Sequence, residues 1–290
     1  MLPENLSVSV IIPAHNEEKE IGDIVRRILA VRSDFEVIVI NDGSRDNTAK
    51  AAEAAGARVI SHPYNLGNGA AVKTGIREAR NDVILMIDAD GQHPPESIPQ
   101  LIDKLDLYKM AVGSRTPKSK VSRFRTFGNT FMRYFAMYLT DAYIADLTSG
   151  YRAVYRDVAL EFIHLLPNKY SYPTTLTMCL LKEGYPIAWV PMDEISGRGS
   201  GASGIKPLRD GIRFLSIMIR ITMLFSPQRV FFPIGAAVLA LGIYMSVLTI
   251  RRSILEPSAA MVVMVGVFII LFGLVAEQLA VIRRELNRRW

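Results

Sequence analysis

Short apolar runs alternate with helix-like spacing through the first two hundred residues of the chain. Apolar runs predict buried strands near residues 8–12, 36–40 and 83–87, and two further strands near 57–61 and 110–113. Apolar residues at intervals of three and four predict helices near 16–30, 48–55, 69–79 and 96–107. This alternation predicts an α/β domain with a mostly parallel, Rossmann-like sheet covered on both faces.

The pattern changes after residue 229. Residues 230–250 and 257–276 contain no charged side chain, and each run is long enough to cross about 30 Å of hydrocarbon as a helix. They predict a hairpin of two transmembrane helices, at about 230–250 and 257–282. Buried helices of a soluble protein are the alternative. Arginines before the first span and after the second place the N-terminal domain and the C-terminus in the cytoplasm of a cell-membrane protein.

Two further segments combine apolar stripes with arginines, at residues 122–139 and 205–225. Cationic amphipathic helices next to membrane spans are typical of the lipid interface, and core helices of the globular domain are the alternative. The chain is thereby divided into a globular domain at 1–203, an amphipathic interfacial helix at 204–228, and a hairpin with a short basic tail at 229–290. The N-terminus has no signal-peptide pattern, which agrees with a cytoplasmic domain.

Composition narrows the class of protein. The 290 residues are 50% hydrophobic and 21% charged, with one cysteine and a net charge of +6, which excludes disordered, collagen-like and disulfide-stapled chains. The basic residues concentrate near the apolar tail, and no nucleic-acid-binding module is recognisable. The net positive charge therefore favours lipid headgroups and phosphorylated substrates over nucleic acid as binding partners. Cys179 lies in an apolar run and is interpreted as a core residue.

Polar motifs follow the predicted strands at residues 13–18, 41–44 and 88–92. In open parallel sheets, ligands bind at the carboxyl ends of the strands. Asp88 and Asp90 close the fourth strand, where strand alternation would turn both carboxylates to the same side. Such a pair suits Mg²⁺ or Mn²⁺ carrying a nucleotide diphosphate, with Gln92 and His93 as candidate third ligands or substrate contacts, and ordinary surface charge is the alternative.

Glycines and cations mark three further candidate regions. The glycine-rich segment at 65–70 is neither a Walker loop nor a dinucleotide fingerprint, and it indicates close approach of backbone to a nucleotide or to the sheet. Five cations and no acid at residues 115–125 suit a lipid phosphate, or a solvated loop. The glycine-rich segment 197–203 suits a mobile loop that closes over substrates, or a linker.

A resemblance to a known family rests on five motifs in order. They are Pro-Ala-His-Asn-Glu-Glu at 13–18, Asn-Asp-Gly-Ser at 41–44, Asp-Ala-Asp-Gly-Gln-His-Pro-Pro at 88–95, Gly-Ser-Arg at 113–115 and Thr-Ser-Gly-Tyr-Arg at 148–152. The series resembles glycosyltransferase family 2, in particular its dolichyl- and polyprenyl-phosphate hexose synthases, of the dolichol-phosphate mannose synthase type. The resemblance implies a GT-A fold, a nucleotide-sugar donor, Mg²⁺ or Mn²⁺, and inverting transfer. The chain departs from the pattern at His15, where tyrosine is common, and at Gly91, where many relatives have leucine.

The resemblance also implies roles for individual residues. It places the nucleotide at Pro13, Ala14, Asn16, Glu17, Asp42, Asp88 and Ala89. It places the metal ion at Asp88, Asp90 and Gln92, and the acceptor phosphate at Arg115, Arg125, Asn129 and Arg198. Asp146 lies where related sugar-acceptor enzymes have a base, so Asp90, Asp146, Arg115 and Arg198 form the predicted catalytic group.

The favoured hypothesis is transfer of one hexose to dolichyl or polyprenyl phosphate, with GDP-mannose as donor because of residues 92–95, and UDP-glucose or UDP-GlcNAc as alternatives. A processive polysaccharide synthase would carry a Q-x-x-R-W motif, whereas Leu286 stands in the place of its glutamine. A sugar-1-phosphate nucleotidyltransferase leaves the two spans unexplained. A non-catalytic membrane scaffold is disfavoured by the intact Asp88 and Asp90. Homo-oligomers occur in the group, but no residue establishes one here.

Overall fold

The computed structural model describes residues 6–115, 123–169, 171–192, 207–251 and 257–287. It divides into two compact units, Met1–Phe214 and Leu215–Trp290. Each unit is described by itself.

The first unit is built on a mixed sheet of seven strands. Their order across the sheet is β3-β2-β1-β4-β6-β5-β7. All neighbours run parallel except β6, which is antiparallel to both β4 and β5. The strands are β1 (Val8–Ala14), β2 (Glu36–Asn41), β3 (Arg58–Ser61), β4 (Val83–Met86), β5 (Met110–Arg115), β6 (Arg152–Tyr155) and β7 (Ile187–Met192). The predicted mostly parallel α/β fold is therefore confirmed, with one reversed strand that the sequence analysis did not foresee.

Helices pack against the sheet through the apolar positions that predicted them. The helices of the first unit are α1 (Ile21–Val31), α2 (Thr48–Ala54), α3 (Asn68–Glu78), α4 (Ile98–Ile102), α5 (Arg123–Thr140), α6 (Arg156–Phe162), α7 (Tyr172–Lys182) and the start of α8 (Pro207–Phe225). In α1, four residues spaced three or four apart are buried, namely Ile21, Ile24, Val25 and Ile28. Helix α7 contains Cys179, which is fully buried, and this burial raises the pKa of its thiol. Its interpretation as a core residue is confirmed.

Two predicted helix boundaries were wrong. Helix α1 begins at Ile21 rather than residue 16, because Asn16 has a φ of 59°, which right-handed helix excludes. The helix predicted over 96–107 is interrupted: α4 covers only Ile98–Ile102, between two short 3-10 segments at Pro95–Ser97 and Asp103–Asp106.

The second unit contains two long apolar helices, α9 (Gln228–Arg251) and α10 (Pro257–Asn287). The segments Gln228–Thr249 and Pro257–Arg283 are long and apolar enough to cross a membrane, with mean hydropathies of 2.1 and 2.9. Only 11% and 17% of the residues in an 18-residue apolar window of each segment are buried, which disfavours the alternative of core helices in a soluble protein. Their large apolar side chains remain available to lipid.

Glycines bring α9 and α10 into close contact. A Cβ on Gly242 would lie 2.6 Å from the backbone nitrogen of Val263, and one on Gly266 would lie 2.7 Å from that of Leu239. Small residues at such contacts let the backbones of membrane helices approach closely. The two helices therefore pack as a hairpin through a glycine-lined seam.

We expect Gly242→Leu to destabilise this hairpin, because the added side chain meets backbone and the helices must separate. Overpacking of this kind costs about 1–3 kcal/mol. Thermal unfolding in detergent should show a lower Tm than the matched control Ile243→Leu, whose side chain is 51% exposed. Equal Tm values for both variants would contradict the close packing at Gly242.

Candidate active site

A cavity of about 180 Å³ lies at the carboxyl ends of β1, β2 and β4. Six of the seven predicted nucleotide-binding residues line it, together with the predicted metal ligand Asp90. The residues around the cavity are Pro13, Ala14, His15, Glu17, Asp42, Asn68, Ala71, Asp88, Ala89 and Asp90. The structure thus brings the first three polar motifs together at one edge of the sheet, while the roles of the single residues stay predictions.

A second cavity of about 620 Å³ shares His15 with the first. The seventh predicted nucleotide-binding residue, Asn16, lines this larger cavity. Its other walls are formed by Asn41, Gly43, Ser44, Arg45, His62, Pro63, Tyr64 and Asn65. The sequence analysis missed the segment 62–64. Its signal was its position, because it follows the carboxyl end of the parallel strand β3 just as the recognised motifs follow theirs.

The carboxylate of Asp42, which lines the smaller cavity, is held by the segment 62–67. Its Oδ1 accepts hydrogen bonds from His62 Nδ1 at 2.7 Å and from the Leu66 N–H at 2.9 Å, and its Oδ2 accepts one from the Gly67 N–H at 2.8 Å. Burial acts to raise the pKa of Asp42, but these hydrogen bonds outweigh it and lower the pKa. Asp42 is therefore a charged anchor for the glycine-rich loop, and its predicted contact with base or ribose stays a prediction.

The same loop approaches the backbone of the segment before α7. A Cβ on Gly69 would lie 2.0 Å from the carbonyl oxygen of Pro167, and the Gly69 N–H donates to the carbonyl oxygen of Lys169 at 2.9 Å. Asn68 and Ala71 also line the smaller cavity. Position 69 thus requires glycine because the backbone at residue 167 leaves no room for a side chain. The same loop also contributes to the wall of the smaller cavity.

Asp88 and Asp90 follow the end of β4 in a turn rather than in the strand. The strand ends at Met86, and Gly91 adopts a φ of 67°. The argument from strand alternation was therefore wrong, although both residues do line the same cavity. The N–H of Gln92 donates to Asp90 Oδ1 at 3.2 Å, which fixes the turn.

The two carboxylates fit a divalent cation that arrives with a diphosphate. Among the residues that the structure describes, no cluster of three or more His, Cys, Asp or Glu side chains could hold a metal ion. Mg²⁺ is ordinarily bound through one or two carboxylates together with substrate phosphates, so a pair of aspartates is sufficient. Asp88 and Asp90 are the residues that would hold the ion, and the ligand role of Gln92 stays a prediction.

Arg115, the last residue of β5, forms a bidentate ion pair with Asp146. Its Nε donates to Asp146 Oδ2 at 2.8 Å, and its Nη2 donates to Asp146 Oδ1 at 2.9 Å and also to Thr148 Oγ1. The N–H of Thr148 also donates to Asp146, at 3.0 Å. Burial acts to raise the pKa of Asp146, but Arg115 and the neighbouring N–H groups lower it to about 2. Asp146 is therefore charged at neutral pH and its lone pairs are occupied, which favours a positioning role over that of a base.

The Arg115 side chain keeps 34% of its surface exposed despite this pair. Its Nη1 makes no hydrogen bond with any residue that the structure describes. The side-chain positions of the other residues predicted to bind the acceptor phosphate are not described. The side chains of Arg125 and Asn129 on α5 and the whole of residue Arg198 lie outside the described residues.

Tyr151 and His93 connect the turn that carries Asp88 and Asp90 to the motif at 148–152. The two rings stack with their centroids 5.0 Å apart, and the Tyr151 hydroxyl donates to the carbonyl oxygen of Pro94 at 3.2 Å. His93 is buried, and burial lowers its pKa to about 4. The ring is therefore neutral at physiological pH and acts as a packing surface beside the turn.

A mixed α/β sheet with paired carboxylates at its carboxyl edge agrees with the GT-A fold of glycosyltransferases. Residues 9–163 match the model of glycosyl transferase family 2, and residues 226–282 match that of the GtrB C-terminal hairpin. The chain belongs to glycosyl transferase family 2, and it is a glycosyltransferase. The predicted family is confirmed.

Several curated proteins are similar in sequence. An undecaprenyl-phosphate 4-deoxy-4-formamido-L-arabinose transferase from Pseudomonas fluorescens is 31% identical over 58% of this chain and 55% of its own length. This chain therefore spans about half the length of that relative. Glycosyltransferase AglJ from Haloferax volcanii is 26% identical over 99% of this chain and 98% of its own length.

Among solved structures, glucosyl-3-phosphoglycerate synthase from Mycobacterium tuberculosis shares the fold. Its complex with Mn²⁺, UDP and phosphoglyceric acid matches 75% of this chain and 79% of its own, with a TM-score of 0.62 and 21% identity. At this identity the likeness concerns the fold alone.

Proposed function

We propose that this protein transfers a single hexose from a nucleotide-sugar to a polyprenyl or dolichyl phosphate, with inversion, at the surface of a membrane. The observation that carries the proposal is the cavity in which Asp88 and Asp90 meet the ends of β1 and β2. The apolar helices α9 and α10 explain why the acceptor would be a lipid. The name of the Pseudomonas relative, an undecaprenyl-phosphate transferase, supports the same acceptor class.

The donor would occupy both cavities. The nucleoside fits the larger cavity beside Asn16, and the diphosphate fits the smaller one, above Asp88 and Asp90. A bound Mg²⁺ or Mn²⁺ would neutralise negative charge on the diphosphate as it leaves. The complex of the Mycobacterium enzyme with Mn²⁺ and UDP supports a metal-dependent donor site of this kind.

The acceptor phosphate would bind at Arg115. The ion pair with Asp146 fixes the plane of the guanidinium, and its Nη1 would donate to phosphate oxygens. Arg125, Asn129 and Arg198 complete the proposed phosphate site. A lipid phosphate could reach it while its hydrocarbon tail stays in the bilayer.

The chemistry needs no dedicated base. A phosphate monoester has a second pKa near 6, so at neutral pH it is largely a dianion with no proton to lose. A phosphate oxygen would attack the anomeric carbon, and the bond between that carbon and the diphosphate oxygen would break. The electron pair leaves with the nucleoside diphosphate, and the product is a polyprenyl phosphosugar. Catalysis then rests on positioning and on charge stabilisation.

We propose GDP-mannose as the donor, on the basis of residues 92–95, with UDP-glucose and UDP-GlcNAc as the competing donors. The similar proteins do not favour mannose, since the names of two of them refer to an arabinose derivative and to a glucosyl product. We also propose that the catalytic unit and the C-terminus face the cytoplasm, as the arginines beside the spans indicate. The partners are thus a nucleotide-sugar, a polyprenyl phosphate and the bilayer, with homo-oligomers compatible with the family.

The test is a transfer assay on the full chain purified in detergent. Polyprenyl phosphate and Mn²⁺ or Mg²⁺ are mixed with radiolabelled GDP-mannose, UDP-glucose or UDP-GlcNAc in turn. We expect one donor to place label in the organic phase, and EDTA or omission of the lipid to abolish that label. Label with a UDP-sugar alone would overturn the GDP-mannose assignment. Absence of lipid-borne label with all three, together with no metal-dependent nucleotide binding, would favour the scaffold alternative.

A further inference from the structure

Gly150 lies directly against the carboxylate of Asp88. A Cβ on Gly150 would lie 2.5 Å from Asp88 Oδ2, 3.0 Å from its Cγ and 3.1 Å from its Oδ1. The backbone at Gly150 does not have a positive φ. Position 150 therefore requires glycine because the Asp88 carboxyl group occupies the space that a Cβ would need, and not because of the backbone conformation.

The backbone around Gly150 has little freedom to yield. The hydroxyl of Tyr172 donates to the carbonyl oxygen of Gly150 at 3.4 Å. On the next residue, the hydroxyl of Tyr151 donates to Pro94, and its ring stacks on His93. The segment is thus attached on one side to α7 and on the other to the turn that presents Asp88 and Asp90.

Arg152 fixes the same segment from within the core. Its side chain is completely buried. Its Nε donates to the carbonyl oxygen of Ser149 at 3.2 Å, and its Nη1 donates to the carbonyl oxygen of Pro173 at 3.0 Å and to Thr177 Oγ1 at 3.3 Å. A buried guanidinium is costly unless its donors are satisfied, so these hydrogen bonds resist any shift of the backbone before Gly150.

Because the backbone at Gly150 is held, an added methyl group would move the Asp88 carboxylate instead. Asp88 stands between Ile87 and Ala89, which are 1% and 4% exposed, so its own backbone is also held. The remaining adjustment is rotation of the Asp88 side chain out of the position that faces the cavity.

We infer that Gly150 is a positioning residue, whose missing side chain sets the orientation of Asp88 toward the donor diphosphate and its cation. The motif at 148–152 thereby links the two halves of the site. Asp146 accepts from the Thr148 and Ser149 N–H groups on the Arg115 side, and Gly150 abuts Asp88 on the diphosphate side. The inference rests on the proposed function only in naming what Asp88 faces.

The first test measures metal binding rather than turnover. Mn²⁺ is titrated into full-length protein with UDP or GDP present, and free Mn²⁺ is followed by electron paramagnetic resonance. We expect Gly150→Ala to weaken Mn²⁺ binding at least tenfold. The matched control is Gly211→Ala on α8, where an added Cβ meets nothing within 4 Å, and its Mn²⁺ affinity should equal that of wild type. Equal affinity of Gly150→Ala and wild type would overturn the inference. No Mn²⁺ binding by the wild type would count against the proposed function instead.

The second test needs no metal and covers the case in which Gly150→Ala folds poorly. The Tm is measured in detergent for wild type, Gly150→Ala, Asp88→Ala and the double variant. Removing the carboxylate makes room for the methyl group, so the drop in Tm caused by Gly150→Ala should largely disappear in the Asp88→Ala background. An equal drop in both backgrounds, or a double variant that folds no better than Gly150→Ala, would show that the methyl group meets something other than Asp88 and would overturn the inference.

Discussion

Replacing Asp90 with asparagine is expected to abolish sugar transfer while the protein stays folded. The amide has nearly the same size as the carboxylate, and its oxygen can still accept the hydrogen bond from the Gln92 N–H. The change removes one of the two negative charges that would hold the cation at the diphosphate. Loss of such charge stabilisation corresponds to a fall in kcat of about 10³-fold or more. The transfer assay measures the rate, and thermal unfolding checks the fold.

The matched control is Asp106→Asn, which makes the same chemical change at an exposed residue of the 3-10 segment Asp103–Asp106. It should retain the wild-type rate and Tm. Wild-type transfer by Asp90→Asn would contradict the assignment of Asp90 to the cation. A low rate accompanied by a large fall in Tm would show instead that Asp90 serves the fold.

Strands β1, β2 and β4 could be predicted because a buried strand of a parallel sheet is a nearly continuous apolar run, as in residues 83–86. Strands β6 and β7 lacked that signal. Strand β6 has only four residues and begins with Arg152, whose guanidinium donates to the carbonyl oxygens of nearby Ser149 and of Pro173, which is distant in sequence. Strand β7 contains Pro191, which a central strand would not tolerate, but β7 lies at the edge of the sheet.

The candidate site, like the fold, has a part that could be predicted from the sequence and a part that could not. Residues at the ends of successive strands could be predicted to lie close together, since parallel strands bring their carboxyl ends to one edge of the sheet. Contacts between different loops could not. The bond from His62 to Asp42 and the approach of Gly150 to Asp88 join segments whose sequences contain no sign of one another. The ion pair of Arg115 with Asp146 is of the same kind, and it changes the role expected of Asp146.

Replacing Asp146 with asparagine is expected to reduce transfer without changing the shape of its pH profile. The asparagine side chain has one acceptor oxygen in place of two, and its NH₂ group would face the guanidinium of Arg115. Arg115 then loses its fixed orientation, and misplacement of a substrate-positioning group by about 1 Å can cost about 10²-fold in rate. The loss should appear mainly as a higher KM for the polyprenyl phosphate, with the KM for the donor little changed.

The pH profile separates positioning from base catalysis at Asp146. Arg115 keeps the pKa of Asp146 at about 2, so this residue is fully ionised well below the range in which the acceptor phosphate loses its second proton, near pH 6. An acid limb near pH 6 would therefore belong to the acceptor, and it should remain in Asp146→Asn at a lower overall rate. An acid limb that disappeared in Asp146→Asn, with a lower kcat at saturating acceptor, would show that the limb belonged to Asp146 as a base and would contradict the positioning role. Asp103→Asn, at an exposed position, provides the control for the charge change itself. Retention of the acid limb together with a raised KM for the acceptor would show that Asp146 acts on the phosphate only by orienting Arg115.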